Sequence, residues 1–126
     1  MSHLKWDEID FLDCLEVFPT IDKYEMEHLY EVRKGELILS VKVEQYDSRV
    51  VLSLRQVCDV EPAIVYSFYV RDGVEYVKDR RGIYLEFQGC FYTTYLSPYF
   101  EYTAVELESA TGSVIQVSIK PLTFSP

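Results

Sequence analysis

The chain has 126 residues, 48% of them apolar and 26% charged, which suits one globular domain spanning residues 1–126 and excludes a disordered chain. Its net charge of −9 disfavours nucleic acid and suits a basic partner. No apolar run approaches the roughly 20 residues of a membrane helix, and the acidic start "MSHLKWDEIDF" lacks the basic-then-apolar order of a signal peptide. A soluble cytoplasmic protein is therefore expected, with no membrane contact.

The first predicted element is a helix over residues 5–17, in "HLKWDEIDFLDCLEVF". Trp6, Ile9 and Leu12 recur at helical spacing, as do Phe11, Leu15 and Phe18, giving one broad apolar face. Asp7, Asp10 and Asp13 fall largely elsewhere, and acids early in a helix suit its dipole. Pro19 ends the helix because the residue before a proline is pushed out of helical geometry.

Strands follow. In "KYEMEHLYEV" the even positions Tyr24, Met26, His28, Tyr30 and Val32 alternate with mostly acidic odd ones, including Glu25, Glu27 and Glu31. "RKGE" reads as a turn, "LILSVKVE" as a second strand, "QYDS" as a turn and "RVVLSLRQV" as a third strand. "AIVYSFYV", apolar on both faces, predicts a central strand covered on each side. Arg71-Asp72-Gly73 predicts a hairpin, with "VEYV" returning from it. "KDRRG" predicts another turn, then "IYLEFQ", an aromatic stretch "CFYTTYLSPYFEY" and a last hairpin about Thr111-Gly112.

One helix cannot supply the crossovers of a parallel sheet. The fold class expected is α+β, mostly β: a curved antiparallel sheet, or a half-open barrel or sandwich, of about 8–9 strands. The N-terminal helix packs its Trp6/Phe11/Leu15 face across one side.

No catalytic motif stands out, and none of the patterns for nucleotide, serine-hydrolase or zinc-protease chemistry is present. Cys14, Cys58 and Cys90 are widely spaced and read as reduced, mostly buried thiols, so no metal and no cofactor is expected. His28 reads as a hydrogen-bonded structural residue. A hydrolase using Glu25 or Glu27 with His28 ranks below the binding readings. Arg71, Lys78, Arg80 and Arg81 read as turn charges balanced by neighbouring acids rather than as a nucleic-acid site.

Two features remain. Residues 1–31 hold nine acids against Lys5 and Lys23, whereas acids and bases balance over residues 32–99. The chain also carries eleven tyrosines, crowded at Tyr92, Tyr95, Tyr99 and Tyr102. Carboxylates steer the encounter with a basic macromolecule, and tyrosine rings supply contact area at small entropic cost. A non-enzymatic binding protein follows, with Asp7, Asp10, Asp13, Glu25, Glu27, Glu31, Tyr92, Tyr95, Tyr99 and Tyr102 as candidate contacts.

Over residues 15–90 the pattern resembles the small acidic immunity proteins that bacteria use against their own polymorphic or contact-dependent growth inhibition toxins. "LEVFPTIDKYEMEHLYEVRKGELILSVKV" and "VVLSLRQ" carry the likeness: a short acidic helix, a Phe-Pro break, then strands with an acidic-hydrophobic beat. The resemblance implies no enzymatic activity and a cognate toxin, often a basic nuclease, whose active site or substrate groove the protein covers. The alternative is a small-ligand-binding β-barrel or cup lined by Tyr66, Tyr84, Tyr92 and Tyr102. A homodimer through an edge strand of the C-terminal hairpin stays open as well.

Overall fold

A computed structural model describes residues 3–91 and 113–120. The architecture is α+β and mostly β. One helix, α1 (Glu8–Leu15), precedes seven strands: β1 (Thr20–Ile21), β2 (Glu27–Lys34), β3 (Leu37–Glu44), β4 (Arg49–Gln56), β5 (Ile64–Asp79), β6 (Gly82–Phe91) and β7 (Ser113–Val117). They form a single sheet in chain order, every neighbouring pair antiparallel, and the sheet stays open rather than closing into a barrel.

Period-two alternation decides which face is buried. Register places His28 beside Val43, Tyr30 beside Val41 and Val50 beside Phe68, all of them buried. Leu85 and Phe87 of β6 are buried on the same inner face. The helix lies over this face, with Phe11 and Leu15 fully buried. Each such side chain contributes about 1.5–3 kcal/mol. Rings run through the core edge to face: Trp6 meets Phe11 and His28 at 4.9 Å each, and Phe87 meets Phe11 at 6.0 Å and Phe68 at 5.5 Å.

The helix is shorter than the periodicity predicts. Asp7 stands at its N-cap, its Oδ1 accepting the Ile9 N–H at 2.9 Å. Glu16, in the left-handed region at φ 59, ends it before Pro19 is reached. Only the Phe11/Leu15 stripe, with Cys14, faces the sheet. Ile9 is 66% exposed and Phe18 82% exposed, so the expected broad face is narrower.

The hairpin expected at Arg71-Asp72-Gly73 does not form. β5 runs through it, and "VEYV" is the second half of the same strand. The real turn is the two-residue loop at Arg80-Arg81, within the predicted "KDRRG". Gly73, at φ 102, serves a β-bulge instead, and the register with β6 shifts between Val70 and Gly73. The extra residue there is on β5; against β7 it is β6 that bulges, with Gln88 and Gly89, φ 66, opposite Val114 alone, so Phe87 and Cys90, three apart, both face the core. The N-terminal segment crosses this bulge, with Val74 N–H donating to the Lys5 carbonyl at 3.0 Å.

"AIVYSFYV" pairs with β4 over Ile64–Tyr69 but among the described residues meets β6 only at Tyr69 and Val70, and Ile64, Val65 and Tyr66 are exposed, so the expected central strand is not covered on each side there. The aromatic stretch beyond Phe91 and the first arm and turn of the last predicted hairpin lie outside the described residues, while β7 falls within its second arm, "SVIQVSIKPLTF". Fusing two predicted strands and gaining the short β1 cancel in the strand count, and the other predicted strands fall on residues outside those described.

Two measurements check this packing. A Cβ on Gly73 would sit 3.1 Å from the Lys5 carbonyl oxygen at a φ that L residues rarely adopt, so Gly73→Ala costs about 1–3 kcal/mol in urea unfolding. Burial raises the Cys14 and Cys90 thiols to about 11, while Cys58 is exposed. Native protein at mildly alkaline pH therefore yields one rapidly reacting thiol with a disulfide reagent, and denatured protein yields all three cysteines.

Candidate functional site

The acids gather at one end of the sheet, where β2 begins and β3 turns into β4. Asp22 shapes the approach to β2. Its Oδ1 accepts the Glu27 N–H at 2.8 Å, its carbonyl accepts the Glu25 N–H at 3.1 Å, and its own N–H donates to the Glu27 carbonyl at 3.2 Å. Glu25 takes a left-handed φ of 56 within this turn. Across the sheet, Gln45 of the β3–β4 turn ties three segments together. Its Nε2 donates to the Glu25 carbonyl at 2.6 Å, its Oε1 accepts the Trp6 indole N–H at 3.3 Å, and its carbonyl accepts the Leu4 N–H at 2.8 Å.

This stitching leaves a notch of about 100 Å³ lined by Asp22, Met26, Glu27, Glu44, Tyr46 and Asp47. Glu27 and Glu44 are directly opposite in the β2–β3 register, on the outer face. Glu44 is compensated by Arg49 at 3.4 Å and Lys42 at 3.9 Å. Among the described residues, Asp22, Glu25, Glu27 and Asp47 have no ion-pair partner. Exposed side chains stand among them: Tyr24 at 68%, Met26 at 46% and Tyr46 at 42%, with the His3 ring edge-on to Tyr46 at 4.8 Å. The notch thus combines negative potential with apolar contact area, which suits a cationic side chain with a long aliphatic stem.

The predicted contact residues divide. Glu25 and Glu27 belong to this end. Asp7 caps α1 directly after Trp6, which binds Gln45. Asp10 is half-buried, and burial, then Asp7 and Asp13, raises its carboxyl above the ordinary aspartate value. Asp13 borders a separate cleft of about 460 Å³ that also includes Glu16, Tyr76, Lys78 and Lys120. Glu31 stands apart, opposite Ser40 and 3.9 Å from Arg55. Tyr92, Tyr95, Tyr99 and Tyr102 lie outside the described residues.

Other groupings do not assemble. His28 is 2% exposed on the inner face, its Nε2 2.9 Å from Glu8, whereas Glu27 lies on the outer face, so the two form no acid–base pair. His28 is thus buried and hydrogen-bonded, to Glu8. Tyr66 lies on the inner face beside Leu52, and Tyr84 on the outer face beside Val77, so they do not line one cup. Tyr84 instead donates to Asp79 at 2.8 Å and accepts from Arg81. Its hydrogen bond is the first cause holding the Asp79 carboxyl below its usual value. Arg71 and Arg81 each pair with a neighbouring aspartate, as expected of turn charges. Among the described residues no cluster is arranged to hold a metal ion, and no helix is long and apolar enough to cross a membrane.

This chain shares its fold with a component of a toxin–immunity complex. The similar chain belongs to the contact-dependent growth inhibition toxin–immunity protein complex from Klebsiella pneumoniae 342. The TM-score is 0.60 at 13% identity, over 94% of this chain and 100% of that one. At that identity the likeness is one of fold. No family model and no curated protein matches the chain.

Sequence reasoning missed Asp22, Glu44, Asp47, Tyr24, Met26 and Tyr46 as one group. Tyr24 and Met26 are expected inside by alternation, but β2 begins only at Glu27, and the turn before it faces outward. The available signal was the pairing of Tyr46 and Asp47 in "QYDS", a tight turn carrying an acid and a ring.

Crowding in α1 has a measurable consequence. Ionised Asp10 is disfavoured in the fold, and acidification through its raised pKa relieves that penalty. Asp10→Asn therefore raises the urea midpoint at neutral pH, and the difference from the parent shrinks as the pH falls into the carboxylate range.

Proposed function

We propose that this chain is a non-enzymatic bacterial immunity protein that binds a cognate contact-dependent toxin domain of basic character in the cytoplasm. It neutralises the toxin by covering the active site or substrate groove. The observation that carries this reading is the end of the sheet where Asp22, Glu25, Glu27 and Asp47 have no ion-pair partner among the described residues, beside exposed Tyr24, Met26 and Tyr46. The fold shared with a component of a toxin–immunity complex supports it.

Charge and rings divide the work. Uncompensated carboxylates raise the association rate with a basic surface, and that rate falls as salt screens the field. Exposed rings set the dissociation rate through desolvated contact area. A toxin groove that holds a nucleic-acid backbone presents the cations such an acidic end fits. Asp7, Asp10, Asp13, Glu31, Tyr92, Tyr95, Tyr99 and Tyr102 extend the proposed contact set.

The test is stopped-flow binding to the C-terminal domain of the toxin encoded directly upstream, paired with growth rescue on co-expression. The parent protein binds and rescues, and its association slows as salt rises. Glu27→Gln/Asp47→Asn slows association roughly three- to tenfold with dissociation little changed. Tyr46→Ala speeds dissociation about tenfold. Circular dichroism matching the parent keeps both variants interpretable. Absence of binding, or association indifferent to salt and to these carboxylates, overturns the proposal.

A further inference from the structure

One edge of the sheet is barely covered. β1 pairs with only His28 and Leu29 of β2, leaving Tyr30–Lys34 without a neighbour on that side among the described residues. The direction of the backbone groups follows from Asp22: both the N–H and the C=O of Glu27 bond to it, on the β1 side. Strand alternation then turns the peptide groups of Leu29, Glu31 and Arg33 to the same side. Thr20 lies opposite Leu29, so the groups of Glu31 and Arg33 are the open ones. Such a row is a template for another strand.

The sequence along that edge, "YEVRK", is complementary to itself when reversed. Set antiparallel about Val32, Glu31 of one copy faces Arg33 of the second, and Arg33 faces Glu31. Both are outward-bonding positions, so each pair exchanges two backbone hydrogen bonds. Their side chains share the outer face and carry opposite charge, the favourable cross-strand combination. Moving the register by two residues either way puts Glu31 against Glu31 or Arg33 against Arg33. A one-residue slip sends the outer side chains against inner ones. The window also fits: beyond Lys34 the chain leaves through Gly35, φ 60, in the two-residue loop to β3, and beyond Tyr30 the edge is taken by β1. Phe18, 82% exposed just before β1, flanks the seam.

We propose that β2 pairs edge to edge with β2 of a second copy, two-fold symmetric about Val32, joining two seven-stranded sheets into one. The pairing uses five residues on each copy, so the dimer is weak and depends on concentration. It is argued from the β2 edge and not from the toxin reading, although the two share Glu31, and it uses an edge other than that of the C-terminal hairpin. Glu31 keeps its 3.9 Å approach to Arg55, and Arg33 its hydrogen bond to the Gly35 carbonyl, as exposed contacts that exchange with the intermolecular pair.

Sedimentation velocity across a wide concentration range tests it. The parent protein shows a reversible monomer–dimer equilibrium. Glu31→Arg and Arg33→Glu each weaken it roughly tenfold or more, since two attractive pairs become repulsive. Mixing these two variants in equal amounts restores a dimer, because opposite charges meet again at both positions, and the double variant dimerises alone. The mixture also separates a charge effect from misfolding. A parent protein monomeric at every concentration overturns the proposal, as does a dimer indifferent to the swaps or a mixture that fails to recover.

Discussion

The arrangement depends on the strap formed by Leu4, Lys5 and Trp6. It leaves the β3–β4 turn at Gln45, crosses the inner face and meets β5 at the bulge, where Lys5 accepts from Val74. That path fixes where α1 starts, and therefore which helical stripe turns inward. It also delivers the Trp6 ring against Phe11 and His28. Gln45 spends its carbonyl on the strap and its amide on both the Trp6 indole and the Glu25 carbonyl. One side chain therefore couples core closure to the shape of the acidic end. Loosening the strap would expose rings on the inner face and release the turn that presents Glu25.

The bulge lets a long strand serve two jobs. The first half of β5 pairs with β4 and the second half with β6, overlapping at Tyr69. A regular ladder would send Cys90 to the outer face. The extra residue at Gly89 restores it to the core, and a side chain there would collide with the Asp72 carboxylate. Gly73 is held just as tightly from the other side by the Lys5 backbone. Two glycines with positive φ on adjacent strands thus mark a bend on which the strap can sit.

Much of the fold was legible because alternation is a local signal. His28, Tyr30, Val32, Val41, Val43 and Val50 fall inside as their spacing requires, and α1 with its inward Phe11 and Leu15 is where the 3.6 period puts it. The misplaced hairpin has a plain origin: turn chemistry does not say what a glycine is for. Asp72-Gly73 has the composition of a hairpin, and the same positive φ serves a bulge once a strand on each side finds partners. The candidate site was legible only in part, since the N-terminal excess of acid pointed to Glu25 and Glu27 but not to Glu44 or Asp47. Those two come from a different hairpin, and only the register between β2 and β3 brings them close. Glu31 shows the converse. It continues the same acidic run, yet four residues beyond Glu27 on the same strand it approaches Arg55.

The cross-strand pair Glu27–Glu44 is the feature least explained by stability. Residues directly opposite in an antiparallel ladder have Cβ atoms about 4.5–5.5 Å apart, and like charges there are destabilising. The molecule offsets half of this by surrounding Glu44 with Arg49 and Lys42, which leaves Glu44 largely buried with its charge answered. Glu27 has no such partner among the described residues. Its backbone is held by Asp22, a further carboxylate, rather than by a cation. A sheet optimised for its own stability would place a lysine at either position. Keeping both acids, with the Glu27 backbone held by Asp22, maintains a directed negative potential at the mouth of the notch. On the proposed function, a cation docking there would meet a site whose repulsion it relieves, so the penalty carried by the unbound protein would become part of the binding free energy.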